Sequence, residues 1–396
     1  MIIPKADRLQ NVQEYYFARK LAEVRALAAK GKQIINLGIG NPDQLPSAAT
    51  VAALTNSAEA PQSHGYQSYN GIVSLREAIA TWYGQAYGVA LTEAEVLPLM
   101  GSKEGIAHIS MAFLNPGDRV LVPNPGYPAY SSAARLAGAE PLAYTLDEAN
   151  GWQPQEQELL QLIAQGGVKL MWINYPHMPT GTEATAELFE GLVAFARKHR
   201  ILLINDNPYS LVLPNQSPLS LLHVAGAKEC CLELNSLSKS HNMAGWRVGM
   251  VLGHTEYLAT ILAVKSNMDS GMFLPVQQAA IEALQNDSEW HAARNEEYAR
   301  RKVLVHQLLD MLECHYQAHS VGMFVWARVP DAITDVEAYL DEILYEAGVF
   351  ITPGKIFGTQ GERYLRVSLC VSAPQLEEAI QRIKQHTILT VSHELK

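Results

Sequence analysis

The segment Ser236-Leu-Ser-Lys-Ser-His-Asn-Met-Ala-Gly-Trp-Arg-Val-Gly249 gathers hydroxyls, a lysine and an arginine directly after a β-rich run at Cys231–Asn235. A loop at the carboxyl end of a strand is where ligands of open α/β sheets collect. The hydroxyls of Ser236 and Ser238 and the planar donor fork of Arg247 suit a phosphate dianion. Lys239, between them, is an amine able to attack an aldehyde. Phosphate plus aldehyde points to pyridoxal phosphate. Taken alone, Lys239 reads more simply as a solvated turn lysine, because isolated motif matches are common.

Other segments change that weighing. They are Leu37-Gly-Ile-Gly-Asn-Pro-Asp43, Tyr66-Gln-Ser-Tyr-Asn-Gly71 with Leu75-Arg76, Gly101-Ser-Lys-Glu-Gly105, Pro125-Gly-Tyr-Pro-Ala-Tyr130, Asp206-Asn-Pro-Tyr209 and Tyr364-Leu-Arg-Val-Ser368. Together with Ser-x-Ser-Lys-x5-Gly-x-Arg-x-Gly, and in this order over nearly the whole chain, they resemble the motifs of class I/II aminotransferases, fold-type I pyridoxal-phosphate enzymes. The Gly-Ser-Lys-x-Gly turn is nearest to that of LL-diaminopimelate aminotransferase-like members.

The resemblance implies a role for each matched residue. Lys239 would hold the cofactor as a Schiff base and then carry the substrate α-proton as base and acid. Asp206 would keep the pyridine nitrogen protonated, which makes the ring an electron sink; alone, it reads as an ordinary turn residue after a strand. Tyr209 would donate to the ring oxygen and Tyr127 would cover the ring, where a loop aromatic is the plainer alternative. Ser102 and the amides of Ser102 and Lys103 lie where a helix begins, a ready anion site that is compatible with simple capping. Tyr66 would reach the partner subunit's cofactor phosphate. Arg366 would grip the substrate α-carboxylate; alone, it reads equally as a strand arginine in an ion pair. Gly40 would let substrate approach the backbone. As half of a dinucleotide fingerprint, Gly38-Ile-Gly40 fails for want of a third glycine.

The chain departs from the family pattern at Asn174-Tyr-Pro-His-Met-Pro-Thr-Gly181, where Met178 stands in place of the asparagine that contacts the cofactor ring oxygen. A thioether donates nothing and accepts weakly. Asn174 is the candidate to compensate, with Tyr209 acting alone as the alternative. Asn207 replaces a frequent acid without evident cost. His177 and His241 fall inside motifs but read as supporting residues. Cys314, His315 and His319 lack a fourth partner for zinc, so no metal is expected. Tyr15, Tyr16 and Phe17 read as core packing, although related enzymes cover the substrate with this region.

These residues need a scaffold to position them. Short apolar runs at Val96–Met100, Arg119–Pro123, Val168–Asn174, Ile201–Asp206 and Cys231–Asn235 alternate with helical stretches at about Ile72–Tyr87, Lys103–Leu114, Tyr130–Ala137 and Glu183–His199. That alternation predicts an α/β fold with a mostly parallel sheet covered by helices. A helix is also expected over Glu14–Lys30. After about residue 285 the pattern changes. A long charged helix (Asp287 to about Met311) precedes a run at Met323–Val329, a helix at Asp335–Ala347 and strands at Val349–Ile351 and Tyr364–Leu369, a smaller α+β unit. The expected division is a large cofactor-binding domain over 46–285 and a small domain from 1–45 with 286–396.

With 396 residues, 48% hydrophobic and 18% charged, the chain can bury a large core without disulfides. A net charge of -10 gives no reason to expect nucleic acid or an anionic membrane as partner. Cys230, Cys231, Cys314 and Cys370 form no disulfide framework, and the N-terminus carries charges where a signal peptide needs an apolar run, so a cytoplasmic protein is expected. The resemblance implies a ping-pong aminotransferase moving the amino group of an L-amino acid to a 2-oxo acid such as 2-oxoglutarate, in a homodimer with shared sites. A carbon–sulfur β-lyase of the same fold would present nearly the same cofactor site. A non-catalytic regulator would carry an appended DNA-binding domain, for which about 45 N-terminal residues leave no room.

Overall fold

A computed structural model describes residues 3–9 and 16–394. From the start, α1 (Tyr16–Ala29) leads to the short β1 (Ile35–Asn36), then α2 (Ala48–Glu59) and α3 (Val73–Tyr87). Next come β2 (Val96–Leu99), α4 (Ser102–Phe113), β3 (Arg119–Asn124), α5 (Ala129–Leu136), β4 (Glu140–Thr145), α6 (Glu156–Ile163), β5 (Val168–Ile173), α7 (Ala186–His199) and β6 (Leu202–Asp206). After these, β7 (Cys231–Ser236), the single turn α8 (Leu237–Ser240), β8 (Gly249–Gly253), α9 (Thr255–Lys265) and α10 (Leu274–Ala283) complete the first part.

The seven strands β2 to β8 form one sheet in the order β2-β8-β7-β6-β5-β3-β4. Only β8 runs antiparallel to its neighbours; the other pairs are parallel. Successive side chains of a strand point to opposite faces, and here both faces are buried. Leu170, Trp172, Ile204, Leu232 and Leu234 face one core, under Ile106 and Ile109 of α4 and Ile261 of α9. Met171, Ile173, Leu203 and Cys231 face the other, under Ile79 of α3 and Phe189 of α7. Burial on both sides is why these strands read as unbroken apolar runs.

The long helix α11 (Ser288–Met311) starts at Asp287, whose side chain accepts from the Trp290 N–H at 2.9 Å. Beyond it, β9 (His315–Tyr316), β10 (Phe324–Arg328), β12 (Thr352–Pro353) and β13 (Tyr364–Ser368) form an antiparallel sheet in the order β12-β13-β10-β9. In sequence, α12 (Val336–Glu342) and β11 (Val349–Phe350) precede β12, and α13 (Ala373–Glu394) closes the chain. β11 pairs in parallel with β1, so the N-terminal segment is tied to this smaller unit. Arg301 of α11 holds Asp43 through both carboxylate oxygens at 2.7 and 2.9 Å, fixing the segment that carries Gly40.

Three differences from the sequence reading have physical causes. The helix expected from Glu183 starts at Ala186, because the Thr185 hydroxyl caps the Leu188 N–H. The helix expected over Asp335–Ala347 changes to a wider π-type turn at Ile343–Ala347 before Gly348, at φ 69°, ends it. Neither β4 nor β8 stands out as an apolar run: β4 is a partly exposed edge strand, and β8 is bounded by glycines. Tyr15 lies outside the described residues. No helix among the described residues is long and apolar enough to cross a membrane.

Candidate active site

The carboxyl ends of β5, β6 and β7 open onto a cavity of about 500 Å³ closed on its far side by β10, β13 and the segment after β1. Twelve sequence-predicted residues line it: Gly40, Ser102, Lys103, Tyr127, Asn174, Asp206, Tyr209, Ser236, Ser238, Lys239, Arg247 and Arg366. Tyr66 does not; its side chain is 92% exposed on the surface of the same chain.

Asp206 is the last residue of β6 and is buried. Its Oδ2 accepts a hydrogen bond from the Tyr130 hydroxyl at 2.9 Å, while Oδ1, equally buried, has no partner. Burial raises its pKa to about 7 against the lowering effect of Tyr130. Tyr130 is itself fixed by stacking on Trp172 at 5.0 Å. The sequence reading missed Tyr130, although it closes the same motif as Tyr127; the two rings meet edge to face at 5.7 Å.

Lys239 sits in the α8 turn and donates to the Gly40 carbonyl. Burial lowers the pKa of its amine, and the positive charges of Arg366 and Arg247 act in the same direction. The bare α-carbon of Gly40 serves packing: a Cβ there would lie 2.1 Å from the Phe324 ring. Gly40 still lines the cavity with its backbone, while the space on its Cβ side is filled by the phenyl ring.

At the other end, Ser236 Oγ accepts from the Ser238 N–H at 3.1 Å and lies 2.9 Å from Ser238 Oγ. Arg247 adopts φ 58° and anchors its guanidinium on the Ala244 carbonyl at 2.8 Å, with Ser238 Oγ at 3.5 Å. Gly101 is required here by its φ of 86°, a conformation other residues rarely adopt, and a Cβ would also sit 2.1 Å from Arg247 Nη2. Ser102 then opens α4, whose first N–H groups and positive dipole end face the same side. Hydroxyls, a guanidinium and a helix N-terminus together make an anion site.

Arg366 lies on β13 opposite Trp326 and Thr352. Its guanidinium is sandwiched between Phe324 and Phe357, 3.8 and 4.6 Å from the ring centroids. One edge donates to the Gly38 carbonyl at 2.7 Å and another contacts Met178 Sδ at 3.3 Å. The Asn174 amide is committed to the backbone, donating to the Asp206 carbonyl and accepting from the Met178 N–H at 2.9 Å. It therefore holds the loop that carries Met178. Tyr209 lines the cavity with its ring 6.1 Å from Phe324. His177 is buried, bridges Thr180 and the Pro125 carbonyl, and is pushed down to about 3 by burial, so it is a neutral brace.

These groups match pyridoxal phosphate in kind. An unsatisfied buried carboxylate oxygen suits a protonated ring nitrogen, the hydroxyl–guanidinium–helix end suits a phosphate, and the Lys239 amine lies between them. The fold and the cavity define a fold-type I aminotransferase architecture, and the chain belongs to the class I and II aminotransferase family, whose profile matches residues 32–383. It is an enzyme, a transferase of nitrogenous groups.

Individual proteins are similar over nearly the whole chain. An LL-diaminopimelate aminotransferase of Oleidesulfovibrio alaskensis is 40% identical over 382 residues, covering 96% of this chain and 98% of the relative. Among solved structures, substrate-bound BacF from Bacillus subtilis superposes with a TM-score of 0.92 at 35% identity, covering 97% of this chain and 98% of its own. A Thermus thermophilus aspartate aminotransferase reaches 0.90 at 26% identity, covering 97% and 100%.

Proposed function

We propose that the protein is a pyridoxal-phosphate-dependent aminotransferase that moves the α-amino group of an L-amino acid to a 2-oxo acid by a ping-pong sequence, with 2-oxoglutarate the first acceptor to test. The observation that carries this reading is the pairing of a partnerless buried Asp206 oxygen with the Lys239 amine across one cavity. When bound, the cofactor supplies an electrophilic carbonyl carbon and an electron-accepting ring. The chain's own residues do the rest. Asp206 holds the ring nitrogen charged, with Tyr130 fixing its orientation. Ser102, Ser236, Ser238, Arg247 and the α4 N-terminus hold the phosphate, and Tyr127 covers the ring. Arg366 orients the substrate α-carboxylate. Lys239, whose amine is lowered in pKa by burial, would take the proton from the substrate α-carbon and return it to the cofactor's aldehyde carbon on the far side of the nitrogen. Tyr209 donates to the ring oxygen.

The same reading extends to assembly. Residues 46–285 would act as the cofactor-binding domain, and 1–45 with 286–396 as the small domain. Two copies would share sites, each lending Tyr66, in the cytoplasm. Exposed Tyr66, Tyr69, Met268 and Phe273 support such a face, since Gly271 packs on the backbone of Gln67 and the Phe273 ring lies 6.0 Å from His64. The test is Lys239→Ala. After incubation with pyridoxal phosphate and borohydride, the wild-type chain should gain the mass of one reduced cofactor. The variant should gain none and transfer no amine. A full adduct in the variant would remove Lys239 from this role, and pyruvate release from sulfur amino acids without amine transfer would replace the aminotransferase with a β-lyase.

A further inference from the structure

Apart from the hydroxyls of Tyr127 and Tyr209, the polar side chains around the cavity fall into three sets. Ser236, Ser238 and Arg247 cluster at the start of α4 with Ser102, and Lys103 adjoins them. Asp206, Tyr130 and Asn174 form the second set, behind the ring position. Lys239 and Arg366 face the reacting end. Besides Tyr127, Pro208 and Tyr209, the bulky side chains that remain are all apolar: Leu21 of α1, Ile39 after β1, Met178 after β5, Phe324 of β10 and Phe357. They come from five separate stretches of sequence, so the wall is assembled by the fold.

This wall is continuous with the carboxylate grip. The rings that flank the Arg366 guanidinium are Phe324 and Phe357, and the thioether at its edge is Met178. A substrate held at Arg366 thus starts its side chain among carbon and sulfur atoms. A side-chain carboxylate or ammonium placed there would lose its water without gaining a partner, whereas an aliphatic or aromatic side chain gains by leaving water. The loss of the family asparagine at Met178 extends the apolar surface where an amide would otherwise stand.

Resting on the aminotransferase reading, we infer that the amino donor is an L-amino acid with a bulky apolar side chain, aliphatic or aromatic, in contrast to the diamino dicarboxylate in the names of the relatives. Leu21, Ile39 and Met178 are the specificity-determining residues.

Two measurements on the cofactor-loaded protein separate this inference from the reading beneath it. The first is binding of unreactive carboxylates, followed by the shift in visible absorption and by protection against thermal unfolding. 3-Phenylpropanoate should bind at least about tenfold more tightly than glutarate, in line with what a few methylenes contribute in an apolar pocket. Tighter binding of glutarate would overturn the inference. The second is the single-turnover rate with phenylalanine, leucine, glutamate and LL-diaminopimelate, with the released 2-oxo acid identified by mass. Phenylalanine or leucine should lead by at least about tenfold, and Ile39→Arg or Leu21→Arg should shift the preference toward glutamate by a similar factor. A lead for glutamate or LL-diaminopimelate in the unaltered protein would reject the apolar subsite while leaving the aminotransferase reading intact. Tight binding of 3-phenylpropanoate with no amine transfer from any donor would do the reverse.

Discussion

Asp206 keeps its two carboxylate oxygens in unlike surroundings, one bonded to Tyr130 and one buried without a partner. That asymmetry has a pH signature. The folded chain holds this proton up to about 7, whereas an unfolded chain releases it near pH 4. Between those values the folded state binds the extra proton, so the contribution of this group to stability is full below about pH 4 and is lost as pH rises through about 7. Asp206→Asn removes the titration. In cofactor-free protein, the variant should gain on the wild type as pH rises across that window, by up to roughly 4 kcal/mol, measured by urea unfolding. The same variant should lose at least about a hundredfold in amine-transfer rate, as expected when a charge-stabilising group is removed. A stability difference that does not change with pH would mean that the carboxyl is not held protonated. At this scale much was legible in the chain: Lys239, Asp206 and Arg366, each ambiguous alone, stand out through the resemblance of their motifs in order, and all three line the cavity. Tyr130 and the two phenylalanines around Arg366 did not, because an aromatic that braces a charge looks in sequence like any core aromatic.

Strand β7 shows how an element carries more than its last residue. Leu232 and Leu234 serve one core, while Glu233 points the other way and is fully buried. Four donors converge on its carboxylate: the Tyr83 hydroxyl at 3.0 Å, the Leu221 N–H at 2.8 Å, and the amides of Asn205 and Asn207 at 3.2 and 3.4 Å. Asn205 and Asn207 flank Asp206, and Tyr83 also accepts from Asn235, the residue before Ser236. Burial pushes the Glu233 pKa up, and the surrounding donors oppose the shift. Glu233→Gln, which places an amide against donors, should cost about 2–4 kcal/mol in urea unfolding; Glu233→Asp should recover part of it. An unchanged unfolding midpoint would show the network to be dispensable. The parallel sheet was legible because strands buried on both faces make unbroken apolar runs. The edge strand β4 and the glycine-bounded β8 lack that signature, and their places come from tertiary pairing. A buried glutamate in such a run is also hard to read, since nothing local reveals the four donors that stabilise it.

As a whole, the molecule presents Tyr66, the most exposed aromatic among the described residues, outside the cavity of its own chain. With a homodimer, light scattering should give twice the chain mass of 43.6 kDa. Met268→Asp with Phe273→Asp should yield monomers that retain pyridoxal phosphate at least about tenfold less well, as expected for the loss of more than one contact to a charged group. A monomeric wild type with full cofactor affinity would sink the shared-site arrangement. In the proposed dimer, what one chain contributes across the interface leaves no trace in its own packing. Within the chain, one of the bonds across the seam between the two parts comes from the reactive amine itself. The Lys239 amine donates to the Gly40 carbonyl, and Gly40 belongs to the segment pinned on one side by the Leu37–Phe350 backbone bond and on the other by Arg301 on Asp43. Capturing that amine covalently unties this latch. Hydrogen–deuterium exchange should therefore change with opposite signs on cofactor loading, slowing at the start of α4 and quickening over residues 39–42, so that the enzyme becomes looser at this segment as it becomes tighter at its centre.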